Sequence, residues 1–425
     1  MSDQWQAKFD RLLDVMGSME IIDSHEHLPP EKERLATTPD FFMFFSHYCP
    51  SDFQAAGMTA AEMVFLRADH SIEEKWRIFE RYYPLIQDGS YCRAAHLAMN
   101  RFYGIPRLEC EADARTLTKA IRQANTPGLY RRVLKETCRI RKSVNFVGLD
   151  DDPEYFASVP HCTYYAESTV ATIRALEDQM GTTCANLSAY VDAVREDVRR
   201  SVARGLKGIK IHFAYFRDLA FEPRTHADAE RVFLRVMEEG YGWRPYSLGY
   251  EEMRPLQDYM IHRLVEMAIE LDVPVVFHTG LQAEMGHNPD NARPTRLWNL
   301  INRYRKARFI LLHAGLPWMD DAAMLAKQYA NVWLDMGWDH LISPELSRRA
   351  LATWIDMLPM NKIFGFGGDY MVVEKVYGHL VLARENIAAV LAHKEVRNGM
   401  SPARAQAWLK ALLWDNPNTV YKLGL

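Results

Sequence analysis

The sequence contains no long uncharged apolar run, and this lack excludes several classes of protein. No stretch approaches the ~20 apolar residues of a membrane-spanning helix. The N-terminal residues Met1 to Met16 are polar and charged, so we expect no secretion signal there. With a formal net charge of -4, the chain also lacks the basic excess that suits nucleic acid or an anionic membrane surface.

Paired cysteine spacing is also missing, although the chain has 6 cysteines. We therefore expect free thiols in a reducing compartment, and hence a cytoplasmic protein. The chain shows no internal repeat and no low-complexity segment. Its 425 residues, 48% of them hydrophobic, can bury a large core, and an α/β barrel with insertions can reach this length as one domain.

Eight short apolar or β-branched runs, mostly separated by helical patterns, predict strands. They are Glu20–His25, Val144–Gly148, His161–Tyr165, Leu206–His212, Val273–His278, Arg308–His313, Asn331–Asp335 and Lys362–Gly367. Strands that alternate with helices indicate a parallel sheet. Eight such units predict an α/β fold, a closed (β/α)8 TIM barrel.

Two stretches between these strands are too long to be simple loops. Residues 28–143 are rich in Phe, Tyr, Trp and Met and show helical periodicity, which predicts a helical insertion after strand 1. Residues 213–254 form a smaller insertion that includes the Gly/Trp/Tyr/Pro-rich piece Gly240–Gly249. Both follow strand carboxyl ends, the catalytic face of a barrel, so we expect one domain over residues 1–425 with residues 28–143 as a lid. Oligomer contacts are the alternative role for both insertions.

The most informative motif is Asp23-Ser24-His25-Glu26-His27, which directly follows an apolar pair. Residues two apart on a strand share a face, so His25 and His27 would project together and could bind one divalent cation. Asp23 shares that face and could orient a ligand imidazole. Glu26 alternates with the two histidines and should face away from the metal.

Polar side chains also stand at the ends of four later strands. Lys210 and His212 lie on the fourth, His278 ends the fifth, His313 ends the sixth, and the eighth runs into Asp369. A buried imidazole or charge without a partner is costly, and a shared cation would supply the partner.

In this ordered set the chain resembles the amidohydrolase superfamily, in particular its amidohydrolase-related branch of small-acid decarboxylases, lactonases and related hydrolases. That branch has a metal-binding His-x-His after strand 1, a His after strand 5, a His after strand 6 and an Asp after strand 8. The matching residues are His25, His27, His278, His313 and Asp369. The opening Asp23–Pro30, followed by a helical insertion, is also similar to uronate isomerases, whereas Phe277–Gly280 and Gly367–Asp369 look more like the hydrolase and decarboxylase branch.

The resemblance implies a catalytic metal site. His25, His27, His278 and Asp369 would be ligands of one divalent ion, most suitably zinc, although manganese, iron or cobalt would fit. Asp369 would accept a proton from an activated water and pass it to the leaving group. His313 would be a further ligand or would stabilise a developing oxyanion.

The expected substrate contacts are less specific. Arginine suits a bidentate grip of a carboxylate, with a surface ion pair as the alternative. Lys210 could be carboxylated and bridge two metals, anchor a substrate carboxylate, or form a structural ion pair. The candidate substrate-binding residues are Lys210, His212, Tyr215, Arg217 and Arg224, and the aromatic residues Trp318, Trp338 and Tyr370 could line the pocket.

Together these features predict a metal-dependent hydrolase that acts on a small carboxylated substrate with a lactone, ester or amide bond. The alternatives are a uronate isomerase-like aldose–ketose isomerase, a metal-dependent decarboxylase, and a barrel that binds ligands without catalysis. We expect a small-molecule substrate and a homo-oligomer, with neither nucleic acid nor membrane as partner.

Overall fold

The computed structural model describes residues 3–239 and 248–425, so most of the predicted piece Gly240–Gly249 lies outside the described residues. The described ranges contain eight β-strands. In chain order they are β1 (Ile21–Glu26), β2 (Ile140–Asn145), β3 (Phe156–Ser158), β4 (Ile209–Ile211), β5 (Val275–Phe277), β6 (Phe309–Leu311), β7 (Val332–Asp335) and β8 (Ile363–Phe364).

The same ranges contain nineteen α-helices. They are α1 (Asp3–Ser18), α2 (Glu31–Ala36), α3 (Cys49–Ala55), α4 (Ala60–Arg67), α5 (Ile72–Ile86), α6 (Ser90–Tyr103), α7 (Glu111–Ala124), α8 (Thr163–Glu167), α9 (Val170–Met180), α10 (Leu187–Ala203), α11 (His226–Glu239), α12 (Tyr250–Glu270), α13 (Trp298–Arg303), α14 (Met319–Gln328), α15 (Asp339–Ile342), α16 (Pro344–Met357), α17 (Val373–Arg397), α18 (Pro402–Lys410) and α19 (Asn416–Val420). Two π-helical segments, Arg131–Thr137 and Ala411–Asp415, precede β2 and α19.

The chain divides into two compact units. The first comprises Met1–Phe156, Ala283–Gly286 and Met336–Pro417. The second comprises Ala157–Gln282, His287–Asp335 and Asn418–Leu425.

In the first unit, β1 has hydrogen-bonded neighbours on both sides. It pairs in parallel with β2, with Ile21 opposite Ile140. On its other edge, the Ser24 amide donates to the carbonyl of Phe366, just after β8, at 3.0 Å. All six residues of β1 are buried. The polar side chains of its motif therefore lie in the protein interior, where each needs a polar partner.

The predicted helical insertion between β1 and β2 is confirmed, since α2 to α7 lie there. Capping boxes fix two of its helix starts, Thr59 with Glu62 on α4 and Ser71 with Glu74 on α5. Its aromatic residues pack on one another. The ring of Phe79 lies 5.2 Å from that of Phe41, and both side chains are fully buried. The aromatic composition of this stretch is thus explained by a core within the first unit.

In the second unit, β4, β5, β6 and β7 are parallel neighbours in that order. The register aligns Ile209 with Val275, Val275 with Phe309, and Phe309 with Val332. Strands β5 and β6 are buried throughout, as expected for apolar runs covered on both faces. The strand order and the intervening helices are those of a (β/α)8 barrel.

The structure corrects two predicted strands. The second strand starts at Ile140, four residues before the predicted Val144. The third predicted strand, His161–Tyr165, is wrong, because β3 lies earlier and α8 begins at Thr163. Only His161 of that run forms a bridge, to Lys210. The high strand propensity of Thr163 to Tyr165 is overridden by tertiary context.

Two further sequence expectations concern membranes and thiols. Among the described residues, no helix has the length and apolar character that crossing a membrane requires. The six cysteines are free thiols; five are buried and Cys110 is exposed.

Candidate metal centre

Three of the predicted metal ligands meet in the first unit. Nε2 of His25 lies 3.3 Å from Oδ1 of Asp369, and Nε2 of His27 lies 3.1 Å from the same oxygen. One ligand atom from each residue falls within 4.8 Å of the others. Strand β1 contains His25, His27 directly follows its last residue, and the loop after β8 supplies the aspartate. The predicted projection of His25 and His27 to one side is thus realised.

The electrostatics of this cluster favour an ionised carboxylate. Asp369 and His25 are buried, whereas the side chain of His27 is 32% exposed. Burial alone would raise the pKa of Asp369, but the charge and hydrogen bonds of His25 and His27 bring it well below its ordinary value. The open side of the cluster is therefore at His27.

The donor set fits a divalent transition metal. Two imidazole nitrogens and one carboxylate oxygen are the ligands that zinc, manganese, iron and cobalt accept in catalytic sites. Three protein ligands also leave positions for water or substrate. His25, His27 and Asp369 would hold such an ion.

The loop that carries Asp369 has an unusual backbone. Asp369 has φ of 56°, a left-handed conformation that residues other than glycine rarely adopt. Its amide donates to the carbonyl of His25 at 2.8 Å, which ties the loop to β1. Such strain persists only where the surrounding structure enforces it, and it is frequent at functional sites.

Glu26 contributes to the support of this loop. Its side chain is fully buried, and Oε2 accepts the amide of Tyr370 at 2.7 Å. Burial and the neighbouring Asp23 raise the pKa of Glu26 well above its ordinary value. The sequence pattern alone left Glu26 without a role, because the alternation of side chains does not show what lies on the other face.

Aromatic side chains surround the cluster, and some had no signal in the sequence. Phe146 packs against both histidines, with ring centroids 4.9 Å from His25 and 4.7 Å from His27. Tyr48 stacks on Trp338 at 4.5 Å, and both have positive φ. Trp338 is one of the aromatic residues that the sequence places at the pocket. The sequence did not identify Tyr48 as a neighbour of the site, because hydrophobic periodicity does not indicate a positive φ.

Tyr48 and its neighbour His47 also contact Tyr370, the residue after Asp369. Their ring centroids lie 5.6 and 5.9 Å from that of Tyr370. Burial and nearby Lys375 lower the pKa of His47 to about 3, so this imidazole is neutral near neutral pH. The helical insertion thus places a neutral imidazole and a phenol near the loop that bears Asp369.

The remaining predicted histidines lie in the second unit. His278 follows β5 and His313 follows β6, and Nδ1 of His278 lies 3.1 Å from Nε2 of His313. Nε2 of His278 bonds to the carbonyl of Leu281 at 3.0 Å. His278 therefore donates from Nε2, which leaves Nδ1 to accept a hydrogen bond from His313. The role of His278 as a fourth ligand stays a prediction.

The second unit also holds the predicted Lys210, His212 and Tyr215. Lys210 is buried on β4. Nδ1 of His212 lies 2.9 Å from both Nδ1 of His161 and Oγ1 of Thr163. The sequence did not identify His161 and Thr163 as partners of His212. Both residues are part of the predicted third strand, which gives their side chains no separate role.

Tyr215 and the two predicted arginines differ in their surroundings. The ring of Tyr215 lies 4.7 Å from that of His278, so these two predicted site residues do meet. Arg217 and Arg224 both pair with Asp258, at 2.8 and 3.0 Å. The structure thus gives each guanidinium a partner within the chain, and a contact with substrate stays a prediction for both.

The fold is that of a (β/α)8 barrel, and two histidines and an aspartate near its strand ends form a candidate metal centre. The protein therefore falls into the class of barrel proteins with such a centre. The sequence model of one family, described as amidohydrolase, matches residues 157–423. The chain therefore belongs to the amidohydrolase family.

Individual relatives are distant. Protein fluG of Emericella nidulans is 25% identical over 229 residues, which is 51% of this chain and 26% of that protein. The chain thus spans about a quarter of the length of this curated relative. The solved uronate isomerase of Thermotoga maritima has a TM-score of 0.79 at 14% identity, with 98% of this chain and 97% of that chain covered. A candidate metal-dependent hydrolase from Lactobacillus casei has a TM-score of 0.67 at 16% identity, with 97% and 98% covered. Likeness at such low identity establishes the fold.

Proposed function

We propose that this protein is a metal-dependent hydrolase that acts on a small carboxylated substrate with a lactone, ester or amide bond. The observation that carries the proposal is the cluster of His25, His27 and Asp369, with ligand atoms within 4.8 Å of one another. Membership of the amidohydrolase family supports it. Zinc is the ion that we expect, with manganese, iron and cobalt as alternatives.

A divalent ion in this site would polarise a substrate oxygen and lower the pKa of water. The chain's own residues perform the remaining tasks. Asp369, anionic because of its lowered pKa, can hold a proton at its carboxylate and return it to the leaving group. Phe146 packs against His25 and His27 and limits water around them. Substrate approaches from the exposed side of His27.

We assign a supporting role to the histidine pair of the second unit. In the proposed enzyme, a doubly protonated His313 donates its Nδ1–H to the oxyanion that develops on the substrate, while its Nε2–H donates to His278 and fixes its orientation. Lys210, His212 and Tyr215 are the proposed contacts to the rest of the substrate. Arg224, which is 35% exposed at its side chain, is a better candidate for a substrate carboxylate than the buried Arg217.

A second candidate function is aldose–ketose isomerisation of a sugar acid. One observation favours it: the match to the Thermotoga maritima uronate isomerase covers 98% of this chain, which includes the helical insertion. In this reaction the carboxylate of Asp369 would hold the proton that moves between adjacent carbons, and the product would be an isomer of the substrate with no water added.

Product analysis in ¹⁸O-labelled water separates the two functions. Zinc-loaded protein is incubated with panels of lactones, N-acyl amino acids and uronates, and the products are analysed by mass spectrometry. Hydrolysis adds one water molecule across the cleaved bond, whereas isomerisation adds none, and at most the free carbonyl oxygen of the isomer exchanges with solvent. We expect turnover with oxygen incorporation, lost in Asp369→Asn and kept in the exposed control Asp192→Asn. Turnover that adds no water to the substrate would replace hydrolysis by isomerisation, and release of carbon dioxide would indicate decarboxylation.

A further inference from the structure

We infer that Glu26 and Asp23 are positioning residues for Asp369, and that they act through the main chain of residues 368–370. The inference rests on the proposed metal centre and extends it. It assigns a task to the two acidic residues that flank the ligand His25 in the motif of β1.

The contacts are specific to the two neighbours of Asp369. Oδ1 of Asp23 accepts the amide of Gly368 at 3.1 Å. Oε2 of Glu26 accepts the amide of Tyr370 at 2.7 Å. The amide of Asp369 itself donates to the carbonyl of His25 at 2.8 Å. Three successive amides of the loop are therefore held by three groups of β1, and the strand that carries His25 and leads into His27 also fixes the third ligand.

The burial of both carboxyl groups makes these hydrogen bonds energetically important. Asp23 and Glu26 are both 0% exposed. A carboxyl group in such a place is costly unless it forms hydrogen bonds, and buried apolar residues would be the ordinary choice on a strand enclosed by neighbours. The two carboxyl groups provide hydrogen-bond acceptors for the amides of a loop whose central residue, Asp369, has φ of 56°. The cost of that backbone conformation must be met by its surroundings.

The absence of a side chain at Gly368 leaves room for the carboxyl group of Glu26. A Cβ atom at position 368 would lie 1.8 Å from Oε1 of Glu26 and 3.3 Å from Oδ2 of Asp23. The carboxyl group of Glu26 thus occupies the space that a side chain at 368 would need. On the far side, Nδ1 of His379 on α17 lies 2.9 Å from the Gly368 carbonyl, which accepts its N–H. The loop is clamped between β1 and α17.

Metal affinity tests the inference without a known substrate. The dissociation constant for Zn²⁺ is measured by competition with a chromophoric chelator, and the ligand geometry by the visible spectrum of the Co²⁺ form. We expect Glu26→Ala to weaken Zn²⁺ binding by about 10- to 100-fold, as for other residues that orient metal ligands. Glu26→Gln keeps an oxygen acceptor for the Tyr370 amide and should stay within about threefold of the wild type.

A matched control comes from another buried glutamate. Glu177 accepts the amide of Cys184 at 2.6 Å in the second unit, so it too holds a backbone N–H. Glu177→Ala should lower the stability of the metal-free protein and leave the Zn²⁺ dissociation constant and the Co²⁺ spectrum unchanged. This separates a general loss of stability from a loss of ligand position.

Two results would overturn the inference. One is a Glu26→Ala variant that binds Zn²⁺ as tightly as the wild type with an unchanged Co²⁺ spectrum. The other is a Glu26→Gln variant as weak as Glu26→Ala. If Glu26→Ala does not fold, Gly368→Ala displaces the same carboxyl group and must show the same weakened binding. A wild-type protein that binds no divalent ion would instead refute the metal centre itself.

Discussion

Nε2 of His27 lies 3.1 Å from Oδ1 of Asp369, although the two residues are 342 positions apart in the chain. The contact joins the residue that follows the first strand to the loop after the last strand. Because Asp369 is buried and ionised, its charge needs a partner, which the imidazoles supply in part and a divalent cation would supply fully.

The first prediction concerns metal content. Protein purified without chelators or a polyhistidine tag should contain about one divalent transition metal ion per chain, because one set of three ligands is assembled. His27→Ala and Asp369→Ala should each lose most of it. Elemental mass spectrometry on the purified variants measures this directly.

His393→Ala is a suitable control for that experiment, since His393 is exposed on α17. It should keep the metal content of the wild type. Full metal occupancy in both ligand variants would show that the ion binds elsewhere. Two ions per chain in the wild type would favour a carboxylated Lys210 that bridges them.

The second prediction concerns the ion pair of Arg217 and Asp258. Both side chains are almost fully buried, and Nη2 of Arg217 lies 2.8 Å from Oδ1 of Asp258. Arg217→Ala should lower the free energy of unfolding by about 3–5 kcal/mol, because it leaves a buried carboxylate with one partner fewer. Arg224→Ala should cost about 1 kcal/mol or less, since this arginine is partly exposed. Urea unfolding followed by circular dichroism measures both.

Arg231→Ala serves as the reference in this series, since Arg231 pairs with Asp228 on the surface of α11. It should change stability by less than about 0.5 kcal/mol. An Arg217→Ala variant as stable as this reference would show that the arginine is held for a task other than stability, such as substrate binding.

Much of the candidate site follows from periodicity. The alternation in His25-Glu26-His27 correctly predicts that the two imidazoles share a face. The position of Asp369 after a glycine-rich strand end correctly predicts that it is brought to them. Both are local consequences of strand geometry combined with the rule that the strands of a barrel end on one face.

Other features depend on contacts between distant segments. The run His161–Tyr165 has strand-forming residues yet is mostly helical, and no local signal marks the change. The hydrogen bond of Glu26 to Tyr370 requires knowledge of what packs behind β1. Tyr48 lies in the helical insertion and packs near the site. The sequence pattern predicts that this insertion is helical, but it does not predict how the helices pack.

The third prediction concerns the close approach at Gly280, two residues after His278. Gly280 has φ of 77°, and a Cβ atom there would lie 2.6 Å from the amide nitrogen of Leu316 and 2.7 Å from the carbonyl carbon of Gly315. Gly280→Ala should lower the free energy of unfolding by more than about 2 kcal/mol, through backbone strain and displacement of the neighbouring segment. Thermal unfolding gives the comparison.

Gly181→Ala distinguishes the two contributions. Gly181 has φ of 62°, and no atom of the described residues lies within 4 Å of the place that a Cβ atom would take, so only the backbone strain applies. It should cost about 1 kcal/mol. If both variants lose the same free energy of unfolding, the segment around Leu316 moves away from the new Cβ atom without a measurable cost.

The fourth prediction concerns the pH dependence of stability. Asp339 is fully buried at the start of α15. Burial raises its pKa to about 7, against a smaller, opposite effect of the Ser347 hydroxyl. Folding therefore raises the pKa from about 4 in the unfolded chain, so the folded state binds the proton more tightly.

The sign of the effect follows from this difference. The stabilisation by the bound proton is complete below about pH 4 and is lost as the pH rises through the folded pKa near 7, a total of roughly 4 kcal/mol. Asp339→Asn removes the ionisation. Relative to the wild type, it should gain stability steadily between about pH 4 and 7 and change little further above that range. Urea unfolding at a series of pH values, with the exposed Asp192→Asn as control, measures the difference. A difference between Asp339→Asn and wild type that does not vary with pH would show that Asp339 is ionised throughout, with a partner or water that stabilises its charge.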